Sequence, residues 1–167
     1  MKNARAIVSG AILLVLLTAL CASGQKDEKN EPDMLIKAAR FLEEKPFDKG
    51  AKDIRAWAIN WVINTDKVNV KVCSLIVSGI DKKYKYSGEI FGQYTIGMAA
   101  FKLADSNKTK DEEAAQLAGI ESTLKSYEEM VKEQPKAKNS FVDGLVAKRT
   151  DGSLAKYAAE NNCKDKN

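Results

Sequence analysis

An all-α fold is predicted, a single domain of about six or seven helices packed as antiparallel hairpins. Three observations predict it. Apolar residues recur by threes and fours along most of the chain, the spacing of one buried helix face. The sequence has three prolines, and no run of alternating apolar and polar segments suggests a sheet. The longest such stretch is residues 87–135, two amphipathic helices about a polar turn. Ile90, Phe91, Tyr94, Ile96, Gly97, Ala100, Phe101 and Leu103 belong to the first and Ala114, Leu117, Ile120, Leu124, Tyr127, Met130 and Val131 to the second.

The N-terminus determines the compartment. Lys2 and Arg5 precede an apolar run over residues 6–20, then come small Ala22, Ser23 and Gly24, then the charged QKDEKNEPD. That is the layout of a secretory signal peptide over residues 1–24. Fifteen residues is short of the roughly 20 that span a bilayer, so no transmembrane helix is expected after processing. The mature chain would be residues 25–167, a periplasmic or secreted protein. Cys21 offers an alternative, a lipid-anchored envelope protein, although Leu20 is a large residue to stand directly before a lipidated cysteine.

Of 27 basic residues, Lys2 and Arg5 leave with the signal, so 25 face 23 acidic ones. A net charge of +2 gives no electrostatic case for a nucleic-acid partner. Two cysteines remain, Cys73 and Cys163. An even pair in an oxidising compartment is expected as a disulfide, with two separate buried thiols as the alternative.

Residues 25–31 read as a charged tether and residues 32–163 as one helical domain, with a short tail at 164–167. Pro32 suits a first helical turn and Pro46 ends it, giving a helix over residues 31–44 with Met34, Leu35, Ala38, Ala39, Phe41 and Leu42 as its stripe. Asp48 is the expected N-cap of a second helix, where Ala51, Ile54, Ala58, Trp61 and Val62 share a side. Residues 66–80 fit two patterns. Val68, Val70 and Val72 alternate like a strand, whereas Val68, Val72, Leu75, Ile76 and Gly79 fit a helix; a third helix after Thr65 or Asp66 is expected, because a lone strand has no partner. The turn DKKYKY leads to Ser87, expected to cap the next helix. A break at residues 105–110 separates it from the helix that Pro135 closes. Residues 139–149 read as a short helix, and Asp151 as the cap of a last one ending at Cys163.

The hairpin at residues 87–135 resembles a tetratricopeptide unit. Ile96-Gly97 stands where that pattern has Leu-Gly, Thr123 and Tyr127 stand for its Ala and Phe, and Pro135 follows at the matching distance. Gln93 replaces the expected Trp and Ala100 the Tyr, the segment exceeds the 34-residue repeat, and no second copy is visible. The resemblance covers under a third of the chain. It implies stacked helical hairpins, tetratricopeptide-like or an irregular bundle, and peptide binding by analogy.

The chain contains no histidine. Ser-His, Cys-His and His-ligated zinc chemistry are therefore excluded. There is no phosphate-binding glycine loop and no calcium loop, and no cofactor is expected. The adjacent carboxylates Glu43-Glu44, Glu112-Glu113 and Glu128-Glu129 sit in charged helical stretches and read as solvated faces rather than as a hydrolytic pair. Trp57 and Trp61, one turn apart with Arg55 nearby and Tyr94 on a later helix, are the candidate ligand-binding residues; core packing is the alternative for at least one tryptophan. Lys82 to Tyr86 interleaves bases and aromatics, expected as a solvated loop with tyrosines turned inward. The expectation is an exported, non-enzymatic binding or scaffold protein with a protein or peptide partner. A small apolar-ligand carrier, or a carboxylate-based hydrolase, is the rival.

Overall fold

A computed structural model describes residues 30–81, 83–105, 107 and 110–161. The described residues are helical, without strands: α1 (Glu31–Glu44), α2 (Ala51–Asn64), α3 (Ser74–Gly79), α4 (Ser87–Ala104), α5 (Glu112–Glu133), α6 (Ser140–Thr150) and α7 (Leu154–Glu160), with a 3₁₀ turn at Pro135–Ala137 before α6. The segment expected as a signal peptide (residues 1–24, with Cys21), residues 25–29 of the expected tether, Lys82, Cys163 and the expected tail at 164–167 lie outside the described residues.

Helix α4 is the axis of the bundle. Ile90, Tyr94 and Met98, four residues apart, join Ile76, Ile120, Leu124, Tyr127, Met130, Val142, Leu145 and Leu154 in one core. Ile96 and Ala99, on another side of α4, join Leu35, Ala38, Ala39, Leu42, Ala58 and Trp61 in a second. A helix with neighbours on two sides must be apolar nearly all round, and of the nine residues α4 buries only Gln93 and Lys102 are polar.

The α4–α5 contact is close because both helices present glycine to it. A Cβ on Gly97 would lie 2.6 Å from Ser122 Cβ, and one on Gly119 would lie 2.8 Å from the Tyr94 carbonyl oxygen. Polar groups tie α1 to this pair. Gln93 Nε2 donates to the Ala39 carbonyl at 3.0 Å and to Ser122 Oγ at 2.7 Å. Ser122 Oγ donates to Glu43 Oε1 at 2.6 Å, and Ser126 Oγ donates to the Leu42 carbonyl at 3.0 Å. Most buried polar groups are satisfied in this way, although Gln93 Oε1 has no partner among the described residues.

Several boundaries differ from expectation. Asp48 does not cap α2, whose N-cap is Gly50; its carboxylate accepts instead from the amide of Gly50 itself, the residue directly before the helix. Ser87 is already the first residue of α4, with Tyr86 as N-cap. The third helix starts at Ser74, and residues 68–73 are neither helix nor strand. Val68 and Val70 each pack singly into the core, and the Asn69 carbonyl accepts from Lys102 Nζ at 2.8 Å. Apolar packing of the two valines and the Asn69–Lys102 bond hold this irregular segment in place without a ladder. Helix α7 ends at Glu160, short of Cys163.

The tyrosines after α3 point inward. Tyr84 donates to the Ala137 carbonyl at 2.5 Å and Tyr86 to Gln134 Oε1 at 2.7 Å, fixing the turn between α5 and α6. Tyr127 donates to Asp143 Oδ1 at 2.7 Å, while the Asn139 amide donates to its hydroxyl at 2.7 Å. Burial pushes Tyr84 and Tyr94 up to about 12, and burial together with the Asp143 hydrogen bond pushes Tyr127 up as well. A phenol whose folded pKa lies above its unfolded value of about 10 contributes stability below pH 10 that is lost as the pH climbs towards 12. Titration by circular dichroism and tyrosinate absorbance should therefore show helix loss and phenol ionisation together between about pH 10 and 12. Full ionisation with helicity intact would contradict it.

Helix α6 ends in a glycine-assisted turn: Gly152, at φ 78°, takes the left-handed conformation just past the Asp151 C-cap. Gly144, within α6, is exposed, and a Cβ added there would meet nothing within 4 Å. Gly144→Ala is therefore expected to stabilise the fold by about 1 kcal/mol, the helix-propensity difference. Urea denaturation measures it, and a loss of stability would contradict it.

Candidate functional site

The two tryptophans stand on α2, which packs against α1 and α4. Trp61 is 8% exposed and belongs to the α1–α2–α4 core. Its indole N–H, which needs a partner once buried, donates to Glu31 Oε2 at 2.7 Å. Glu31 opens α1, so this bond joins the start of one helix to the last turns of the next. Trp57 is only partly buried and serves as a wall of two clefts.

The first cleft, about 630 Å³, is lined by Glu31, Trp57, Asn60, Trp61, Asn64 and the residues 65–67 that follow α2. Trp57, Asn60, Trp61 and Asn64 are spaced i, i+3, i+4, i+7 and so share one helix face. Asn64 Nδ2 donates to the Asn60 carbonyl at 2.7 Å and to Asn60 Oδ1 at 3.1 Å. At the floor's end Asp66 pairs with Lys67 at 3.5 Å. The second cleft, about 540 Å³, is apolar: Met34, Ala38, Phe41, Ile54 and Trp57 surround it, with Lys37 and Asp53 at its margin.

The other two candidates lie elsewhere. Arg55 lies across Gly92 of α4, where a Cβ would come within 2.7 Å of its Cδ. Its Nη2 donates to the Pro46 carbonyl at 3.1 Å, and its Nη1 is 4.0 Å from Glu89. Burial lowers its pKa and Glu89 raises it in return. It borders a third cleft with Ile59, Ile63 and Phe91, which neither tryptophan lines and which meets the first cleft at Asn60. Tyr94 is 1% exposed in the α4–α5 core and lines neither tryptophan cleft.

The adjacent carboxylates act as ties between helices. Glu43 accepts from Ser122 and pairs with Lys125 of α5 at 3.3 Å. Glu112 pairs with Lys102 of α4, and Glu128 with Arg149 of α6. Among the described residues no group of three or more Cys, Asp or Glu side chains could hold a metal ion, and no helix is long and apolar enough to cross a membrane. The residues missed from the sequence are Asn60, Asn64 and Glu31. The first two were marked by their spacing from the tryptophans; Glu31 carried no local signal, being 30 residues from its partner.

No family model matches the chain, and neither a curated protein nor a solved structure matches it.

Proposed function

We propose that this chain is an exported, non-enzymatic binding module whose recognition face is the α1–α2 hairpin. The observation carrying this is Trp57, a large aromatic left partly exposed as the wall shared by two clefts, beside Trp61, which the core absorbs. Aromatic side chains in clefts supply much contact energy at small entropic cost. Export rests on the N-terminal layout of residues 1–24, with lipid attachment at Cys21 as the anchored variant. A protein or peptide partner accords with the tetratricopeptide-like pattern of the α4–α5 hairpin. Crosslinking in the native host, followed by recovery of bound material, is expected to return a specific partner; no enrichment over a Trp57→Ala chain would count against it.

The apolar cleft beside Met34, Phe41 and Ile54 favours one second reading, a carrier of a small apolar molecule. Native mass spectrometry of host-purified protein separates the two, since a stoichiometric small molecule is expected only of the carrier.

We also propose a Cys73–Cys163 disulfide. Cys73 is 2% exposed, with the Gln116 amide donating to its sulfur. Thiol titration of the denatured, unreduced protein should find no free thiol; two would reject the bond.

A further inference from the structure

We infer that the polar cleft on α2 takes a neutral saccharide, a deduction that rests on the binding-face reading above. The cleft combines two kinds of group on one surface. Trp57 offers an indole, and around it stand the planar amides of Asn60 and Asn64 and the carboxylates of Glu31 and Asp66. A sugar ring has the matching two-sided chemistry: a face of C–H groups, and a rim of neighbouring hydroxyls that each donate and accept. A side-chain amide presents a donor and an acceptor side by side, and a carboxylate accepts from two hydroxyls.

The internal hydrogen bonds prepare this arrangement. The Asn64–Asn60 bond holds the two amides in register while leaving Asn60 Nδ2 and Asn64 Oδ1 without a partner among the described residues. The Trp61–Glu31 bond orients both the indole and the carboxylate, using one Glu31 oxygen and leaving the other. Ligands of other classes match less of the surface. A wholly apolar molecule would desolvate two amides and a carboxylate without replacing their hydrogen bonds. An anion would meet two carboxylates, Glu31 and Asp66, against a single cation, Lys67, which already pairs with Asp66 at 3.5 Å. A quaternary ammonium would suit the indole and Glu31 but leave both amides unmatched.

The cleft is open, and a single sugar ring is a small ligand, so a dissociation constant on the order of 1 mM is expected. The test is saturation-transfer NMR on the chain purified from its host. The probes are glucose, galactose, mannose, N-acetylglucosamine and their β-1,4-linked oligomers, with choline and a neutral hexapeptide alongside. Transfer to the ring C–H protons of at least one saccharide is expected. Asn60→Ala, a change at an exposed position, should weaken it about tenfold or more, as should Trp57→Ala. Saccharide binding that survives both substitutions would overturn the site. Transfer to choline or the peptide alone, lost in Trp57→Ala, would overturn the saccharide inference and leave the binding face standing. No transfer to any probe at about 20 mM would overturn the saccharide inference too, and host crosslinking then decides the binding face separately.

Discussion

Gly119→Ala is expected to destabilise the fold by about 1–2 kcal/mol, although alanine is the better helix former by about 1 kcal/mol. The added Cβ would stand 2.5 Å from Met98 Cγ, 2.8 Å from the Tyr94 carbonyl oxygen and 2.9 Å from Tyr94 Cδ2. Met98 is flexible and can yield, but the carbonyl belongs to the backbone of α4, and Tyr94 is enclosed in the core. The helices must separate, which costs about 1–3 kcal/mol or more and exceeds the propensity gain. The separation would also stretch the bonds from Gln93 to Ser122 and from Ser122 to Glu43. A fall of about 5 °C in Tm is expected for alanine, and a larger one for valine. Gly88→Ala, with open space around its Cβ, is the control and should not fall. Unchanged stability in Gly119→Ala would show that the helices need not approach so closely.

Breaking the Lys102–Glu112 pair is expected to be asymmetric. The Lys102 side chain is 1% exposed and the Glu112 side chain 40%. Glu112→Gln would strand a buried ammonium with the Asn69 carbonyl as its principal remaining partner, a loss of about 3–5 kcal/mol for an uncompensated buried charge. Lys102→Met replaces the stem with a chain of similar bulk, and the freed Glu112 can turn to water, so about 1–2 kcal/mol is expected. In the double variant Lys102→Met/Glu112→Gln the cost should stay near that of Lys102→Met alone, because no stranded cation remains. Urea denaturation of the three variants measures this. Equal losses in the two single variants would contradict the assignment of Lys102 as the dependent partner.

Much of the fold was legible because its signals are local. Pro32 and Pro46 bracket α1 at the expected residues, Glu31–Glu44. The stripe of threes and fours found Ile90, Tyr94, Ile96 and Gly97 on α4 and Ile120, Leu124, Tyr127 and Met130 on α5, all buried. Phe91, Ala100, Phe101, Leu103, Ala114, Leu117 and Val131 are only partly buried, because α4 and α5 also bury other sides. What escaped depends on distant partners. Residues 68–73 carry enough β-branched side chains to suit a strand and enough spacing to suit a helix, and they form neither; instead Val68 and Val70 pack into the core and the Asn69 carbonyl accepts from Lys102 of α4. The pairing of Asp48 with the Gly50 amide is likewise a turn bond where the sequence suggests a cap.

The site was half legible. Trp57 and Trp61, four residues apart, do line one cleft. Arg55 is two residues from Trp57, about 200° around the helix, and the geometry of a helix places such neighbours on opposite faces. Asn60 and Asn64 had the correct spacing, yet polar residues near a helix end read as ordinary termination. Tyr94 could not be told from a pocket aromatic, since whether a tyrosine is enclosed depends on what α5 brings against it.

The most direct measurement of a recognition face on α2 is position-resolved photocrosslinking in the native host. A photoreactive residue at position 60, in the polar cleft, is compared with one at position 144, exposed on α6. Adducts from position 60 that disappear with Trp57→Ala, and none from position 144, are expected. Equal labelling at both positions, or labelling at 144 alone, would contradict a recognition face built on Trp57.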